Sequence, residues 1–161
     1  MNKTEQTVKQ LILRYGTADP YEICEKMGVI VLEQDLPQSV NGFTVNMYNV
    51  PFAVINSSLN DDEKRITTAH ELGHIVLHNG TNTVELSVNT SFCVTKFERE
   101  ADCFAVYLLM YAEMSTFDGY ECITADDVSK ATHMPIGKVE NILDSFTEPD
   151  FRAGQSGSSF Q

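Results

Sequence analysis

His70 and His74 stand four residues apart with an acid between them, in the run His70-Glu71-Leu72-Gly73-His74. On an α-helix a four-residue step advances about 6 Å and returns nearly to the same face, so both imidazoles can address one cation. Glu71 is rotated by roughly 100° from His70. That placement suits a carboxylate acting on a water beside a metal rather than on the metal itself. The HExxH spacing is a signature of zinc-dependent hydrolysis. Two imidazoles do not complete a protein zinc site, and a third donor is needed. His78 lies about 12 Å along the axis from His70, too far to share the ion. The position ten residues after His70, where some HExxH enzymes carry a third histidine, is Gly80. The third donor must come from elsewhere in the chain.

The helix that presents the pair is legible. Asn60-Asp61-Asp62-Glu63 reads as an N-cap with a capping-box glutamate, and its acids favour the positive end of the helix. Asn79-Gly80 supplies the stop, with His78 in the last turn. Ile66, Ala69, Leu72, Gly73, Ile75, Val76 and Leu77 leave little polar surface between them. A helix buried this thoroughly must give its histidines partners.

A second helix, from Phe97 to about Ala112, offers the missing donor. Phe97, Ala101, Phe104, Ala105 and Leu108 form its apolar stripe. Glu98 and Glu100 border that stripe on opposite sides, and helical angle does not choose between them. Glu98 has Asp102 one turn beyond it on the same face, where a second carboxylate is free to orient a ligand imidazole.

Around these two helices the chain reads as α+β. Residues 4–15 carry Val8, Leu11, Ile12 and Tyr15 at helical spacing and stop at Gly16; Pro20 opens a short helix that stops at Gly28. Val29–Leu32 is a β-branched run expected to be a buried strand. Asn41-Gly42 is a turn signal before the alternating Phe43, Val45 and Met47, and a second turn at residues 48–51 leads into Phe52–Ile55. These form three strands of a small, largely antiparallel sheet. Residues 80–95 are polar and read as a long loop. Thr124 to Phe146 reads as two short helices broken at His133-Met134-Pro135. Their outline resembles a helix-turn-helix, but Lys130 and Lys138 are their only basic residues, so packing against the rest of the chain is expected rather than DNA binding.

The chain has 161 residues, 42% of them hydrophobic, enough for one real core. Its 23 acidic and 11 basic residues give a net charge of −12, which argues against nucleic acid as the main partner. Four cysteines lack CxxC spacing and read as reduced thiols. No secretory leader and no membrane-spanning run is evident, so a cytoplasmic protein away from membranes is expected. Asn56-Ser57-Ser58 is then a chance match to a glycosylation triplet.

HELGH with His78, then Glu98-Arg99-Glu100-Ala101-Asp102-Cys103-Phe104-Ala105 and Leu108-Leu109-Met110, resembles the ImmA/IrrE family of metallopeptidases. More broadly it is similar to gluzincins, with HExxH followed by ExxxD on a second helix. The likeness spans roughly residues 5–112 and is most specific at the two motif helices. It implies a zincin-like active-site helix pair, one Zn2+ per chain held by His70, His74 and Glu98, and Glu71 as the catalytic base. Asp102 matches a small polar position of the family that supports the ligands. Tyr111 stands where the family often has proline after its Leu-Leu-Met run. The resemblance also implies a zinc metallopeptidase domain over residues 1–118, with a helical pair (119–146) packed on it in the same compact unit; the Gly- and Ser-rich tail 147–161 is expected to be disordered. The implied substrate is a helix-turn-helix repressor of a prophage or mobile element, cleaved to derepress it. Two other readings are a zinc-binding regulator that sequesters a repressor without cutting it and a DNA-binding regulator using the C-terminal helical pair.

Overall fold

The computed structural model describes residues 2–78 and 91–143, residues 91–94 by their backbone alone. Two short helices open the chain. α1 (Lys3–Tyr15) is capped by Asn2, whose side chain accepts from the Thr4 N–H at 2.8 Å. α2 (Pro20–Met27) is capped by Asp19, which accepts from the Tyr21 and Glu22 N–H groups. Three strands follow: β1 (Ile30–Gln34), β2 (Gly42–Met47) and β3 (Val50–Asn56). α3 (Asp61–Leu77) carries the HExxH run and α4 (Ser91–Ala112) the acidic cluster. A 3-10 turn (Met114–Phe117) leads to α5 (Ala125–Thr132) and α6 (Ile136–Leu143).

The fold is α+β, as expected, but the sheet is mixed. Its order is β1-β3-β2: β2 and β3 form an antiparallel hairpin, whereas β1 runs parallel to β3. The hairpin turns on Tyr48 and Asn49 at φ 51° and 63°, the double left-handed conformation that matches the twist of two paired strands. Residues 35–41 carry the chain across to the far edge, so β3 takes the centre. β1 is therefore an edge strand rather than the buried one expected. Ile30 and Leu32 are 41% and 38% exposed, and buried Val29 precedes the strand.

Two further expectations shift. α4 already begins at Ser91, so the last part of the supposed 80–95 loop is helical. Gly42 is not a turn glycine: Asn56 N–H donates to the Asn41 carbonyl at 2.8 Å, so the ladder already runs through this point. Asn79-Gly80, residues 81–90 and everything after residue 143 lie outside the described residues.

The core runs without a break through the described chain. Val8, Ile23, Ala53, Ile55, Leu72, Phe104, Leu108, Val128, Val139 and Ile142 belong to one buried cluster. α5 and α6 thus close the same core as the motif helices. The two motif helices meet at Gly73. A Cβ there would sit 3.1 Å from Phe104 Cβ and Cδ1 and 3.2 Å from Ala101 Cα, closer than ordinary carbon contact. Glycine at 73 is what lets α4 come near enough to bring its acids to α3.

Candidate metal centre

α3 begins with the expected capping box. Glu63 N–H donates to Asn60 Oδ1 at 2.9 Å, and Asn60 N–H to Glu63 Oε2 at 3.0 Å. The helix continues to Leu77 with His78 as its C-cap; His70 and His74 meet acids of α4, and Glu71 lies beside Gly42 of β2.

His70, His74 and Glu98 converge, with one ligand atom from each lying within 4.8 Å of the others. His70 Nε2 is 3.1 Å from His74 Nε2. The two Glu98 oxygens lie 3.2 Å from His70 Nε2 and His74 Nε2 respectively. Glu100, the alternative left open by helical angle, is instead 2.9 Å from His78 Nε2. His78 stays out of the cluster and faces His74 across 3.1 Å between their Nδ1 atoms.

Proton bookkeeping tests whether these donors fit a metal. A carboxylate only accepts, so the His70 Nδ1 beside Asp102 Oδ1 (2.8 Å) carries the proton. In the neutral ring Nε2 is then a bare lone pair, aimed at Glu98 and at His74. Three electron-pair donors face a common point, an arrangement that repels itself unless a cation sits among them. The charge balance agrees. Burial works against a charged His70, yet hydrogen bonds to Asp102 and Glu98 outweigh it and push the pKa up to about 9. The close approach of His70 and then His74 holds Glu98 well below the ordinary carboxylate range. The site draws positive charge, as a proton on the metal-free chain or as a divalent ion. Two imidazoles and one carboxylate are a donor set that suits zinc and leaves a fourth position open.

Glu71 is 4% exposed, and its Oε2 is buried without a hydrogen-bond partner among the described residues. Burial raises its pKa, against the lowering effect of His70 and His74. A buried carboxylate oxygen of this kind calls for a partner from outside the chain. It borders a cleft of about 630 Å³ lined also by Pro37, Val40, Phe43, Ile66 and Met134. Asn56 ties one wall of that cleft together from behind. It is 1% exposed, and its Nδ2 donates to the carbonyls of Leu36, Pro37 and Val40 at 3.2, 3.3 and 2.8 Å. The floor is close-packed: a Cβ on Gly42 would meet Val54 O and Thr67 Cγ2 at 2.8 Å and Glu71 Oε1 at 3.4 Å.

The family described as Peptidase_M78, IrrE N-terminal-like domain, matches residues 24–116, a span that contains His70, Glu71, His74, Glu98 and Asp102. The chain belongs to this family. It is 36% identical over 129 residues to Uncharacterized immunity region protein 2 of Bacillus phage phi105, covering 80% of this chain and 81% of that one. It is also 31% identical over 107 residues to Metallopeptidase ImmA of Bacillus subtilis (strain 168), covering 66% of this chain and 63% of that one.

Two cleft residues, Met134 and Lys138, lie beyond the span that matches the IrrE-like family. Lys138 of α6 reaches back to Asp102 Oδ1 at 2.8 Å, the same oxygen that accepts from His70. Burial alone would raise Asp102, but the bonds from His70 and Lys138 carry it below its ordinary value. His70, Glu71, His74, Glu98 and Asp102, to which the sequence pointed, come together here, whereas it gave no sign of the parts that Asn56 and Lys138 play. Asn56 stood out in the sequence only as part of a chance glycosylation triplet. Lys138 has no local signal, since only the folded contact of α6 with α4 brings it in. His78 and Glu100 were visible, but their pairing was not. Tyr107 and Tyr111 lie away from the cluster, and the Tyr111 hydroxyl donates to Glu5 on α1 at 2.7 Å.

Proposed function

We propose that this protein is a zinc-dependent endopeptidase that acts in the cytoplasm on a helix-turn-helix repressor of a prophage or mobile element. The observation that carries the reading is the convergence of His70, His74 and Glu98 beside Glu71, a buried carboxylate facing the cleft. Zinc, when bound there by His70, His74 and Glu98, supplies Lewis-acid chemistry: it polarises a carbonyl and lowers the proton affinity of a nearby water. Glu71 accepts the proton of the attacking water and returns it to the departing amine; its raised proton affinity suits both transfers. Asp102 holds His70 in the tautomer that presents Nε2. Among the described residues β2 lies at an edge of the sheet, and its first residues, Gly42 and Phe43, line the cleft. An extended peptide can pair with such an edge and lay its backbone across the site.

The substrate class rests on the relatives, one named for a phage immunity region and one a metallopeptidase. A net charge of −12 suits a basic DNA-binding protein as partner. Cys24, Cys103 and Cys122 are free thiols, in keeping with a reducing compartment. Among the described residues no helix is long and apolar enough to cross a membrane. Lys130 and Lys138, the two lysines of the C-terminal helical pair, are matched by Asp126 and Asp102, which disfavours a DNA-binding role for it.

The test is incubation of the purified protein with the repressor encoded beside it, with fragment masses read by mass spectrometry. Wild type should yield one defined pair of fragments. Glu71→Gln should keep its zinc and cut about a hundred- to ten-thousand-fold more slowly. If Glu71→Gln relieves repression in cells while the repressor stays intact, the protein works by sequestration, and the peptidase reading fails.

A further inference from the structure

His78 is a buried histidine that the metal reading leaves without a task. Its side chain is 3% exposed at the end of α3, and its ring lies 4.3 Å from that of Phe97. A residue wanted only for packing there would be apolar, because a buried imidazole must find partners for two nitrogens. His78 has both. Nε2 lies 2.9 Å from Glu100 Oε2, and Nδ1 lies 3.1 Å from His74 Nδ1.

The order of these contacts determines where the protons sit. Glu100 as a carboxylate accepts only, so His78 Nε2 carries the hydrogen and donates it. In the neutral ring Nδ1 is then an acceptor, and the hydrogen between the two rings belongs to His74 Nδ1. His74 is left with a bare Nε2, the nitrogen that lies 3.1 Å from His70 Nε2 and 3.2 Å from Glu98. On the other side of the site Asp102 does the same for His70 in one step. α4 thus supplies three acids with three tasks: Glu98 in the cluster, Asp102 behind one imidazole, and Glu100 behind the other through His78.

We propose that His78 and Glu100 are a positioning pair that selects the tautomer and orientation in which His74 presents Nε2 to the metal. This rests on the metal reading above and extends it to the second histidine. The role differs from that of a ligand, since His78 does not touch the ion. It also differs from packing against Phe97, since it depends on an acceptor atom at the Nδ1 position. Leucine keeps the apolar bulk there and removes the acceptor. Asparagine loses bulk but can place its Oδ1 where Nδ1 stood.

The experiment measures zinc affinity of the full chain by competition with a fluorescent chelator, with circular dichroism to confirm folding. His78→Leu should bind zinc about 10- to 100-fold more weakly than wild type. His78→Asn should recover most of that loss, and Glu100→Leu, which removes the acceptor behind His78, should weaken zinc about as much as His78→Leu. In the zinc-loaded wild type, nitrogen-15 NMR of the histidines should find the hydrogen of His74 on Nδ1. The reverse order, with leucine retaining affinity and asparagine losing it, makes His78 a packing residue and overturns the proposal. So does a hydrogen on His74 Nε2. If wild type itself takes up no zinc, the metal reading falls and takes this one with it, whereas zinc binding indifferent to His78→Leu overturns the positioning pair alone.

Discussion

Gly73→Ala adds one methyl group at the point where α3 and α4 touch, and its effect can be worked from the geometry. In an exposed helix the change would stabilise by about 1 kcal/mol, the difference in helix propensity between glycine and alanine. Here the new Cβ would stand 3.1 Å from two atoms of Phe104 and 3.2 Å from Ala101 Cα. Carbon atoms settle at about 3.5–4.0 Å, so α4 must retreat by roughly half an ångström. Phe104 is fully buried and Ala101 Cα is backbone, so neither can turn aside. Overpacking of this kind costs about 1–3 kcal/mol, and the net should be a loss of roughly 0–2 kcal/mol once the propensity gain is subtracted. The larger consequence falls on the site, because Ala101 lies one turn from Glu98 on α4. Its retreat draws Glu98 away from His70 and His74, and zinc affinity should fall by about tenfold or more. Urea denaturation of the metal-free protein gives the first quantity and chelator competition the second. A Gly73→Ala protein that is more stable by about 1 kcal/mol, with zinc affinity unchanged, would refute the claim that close helix approach positions the ligand.

Other substitutions separate the remaining supports. Asn56→Ala removes the donor that ties Leu36, Pro37 and Val40 into the cleft wall and should cost about 2–4 kcal/mol by urea denaturation, at roughly 1 kcal/mol for each hydrogen bond lost; a loss under about 0.5 kcal/mol would show that the wall holds itself. Asp102→Ala should weaken zinc by about 10- to 100-fold, because His70 loses the carboxylate that fixes its tautomer. Lys138→Met should weaken it far less, since Asp102 still accepts from His70 and a partly exposed ion pair contributes under about 1 kcal/mol. Equal losses in the two variants would mean that Lys138, rather than His70, sets the position of Asp102.

What could be read from the sequence divides along the range of the interactions. The HExxH pair, the Asn60–Glu63 capping box and the glycine stops at Gly16 and Gly28 are events within one helical turn, and spacing alone reports them. The choice between Glu98 and Glu100 was not available on that scale, and the reason is physical. Both acids face α3, one towards His70 and His74 and the other towards His78, so neither is idle on its helix. Their separation depends on the angle at which α4 crosses Gly73, which no single-helix pattern contains. Likeness to the ImmA/IrrE family favoured Glu98, as did Asp102 one turn beyond it on the same face. The parallel pairing of β1 with β3 likewise joins segments about twenty residues apart in register, and a β-branched run does not say which edge it will take. Gly42 read as a turn residue because glycine before a strand usually is one; its reason for being there is the approach of Thr67, Val54 and Glu71.

The central claim is that His70, His74 and Glu98 hold one zinc ion whose remaining position is open to water and substrate, with Glu71 beside it rather than on it. Crystallographic anomalous scattering, measured on both sides of the zinc absorption edge, tests this most directly. One peak per chain should appear, with His70 Nε2 and His74 Nε2 at about 2.0–2.1 Å and a Glu98 oxygen at about 2.0–2.2 Å. Glu71 should lie outside bonding distance. A peak ligated by Glu100 or His78, or one closed by four protein ligands including Glu71, would contradict it.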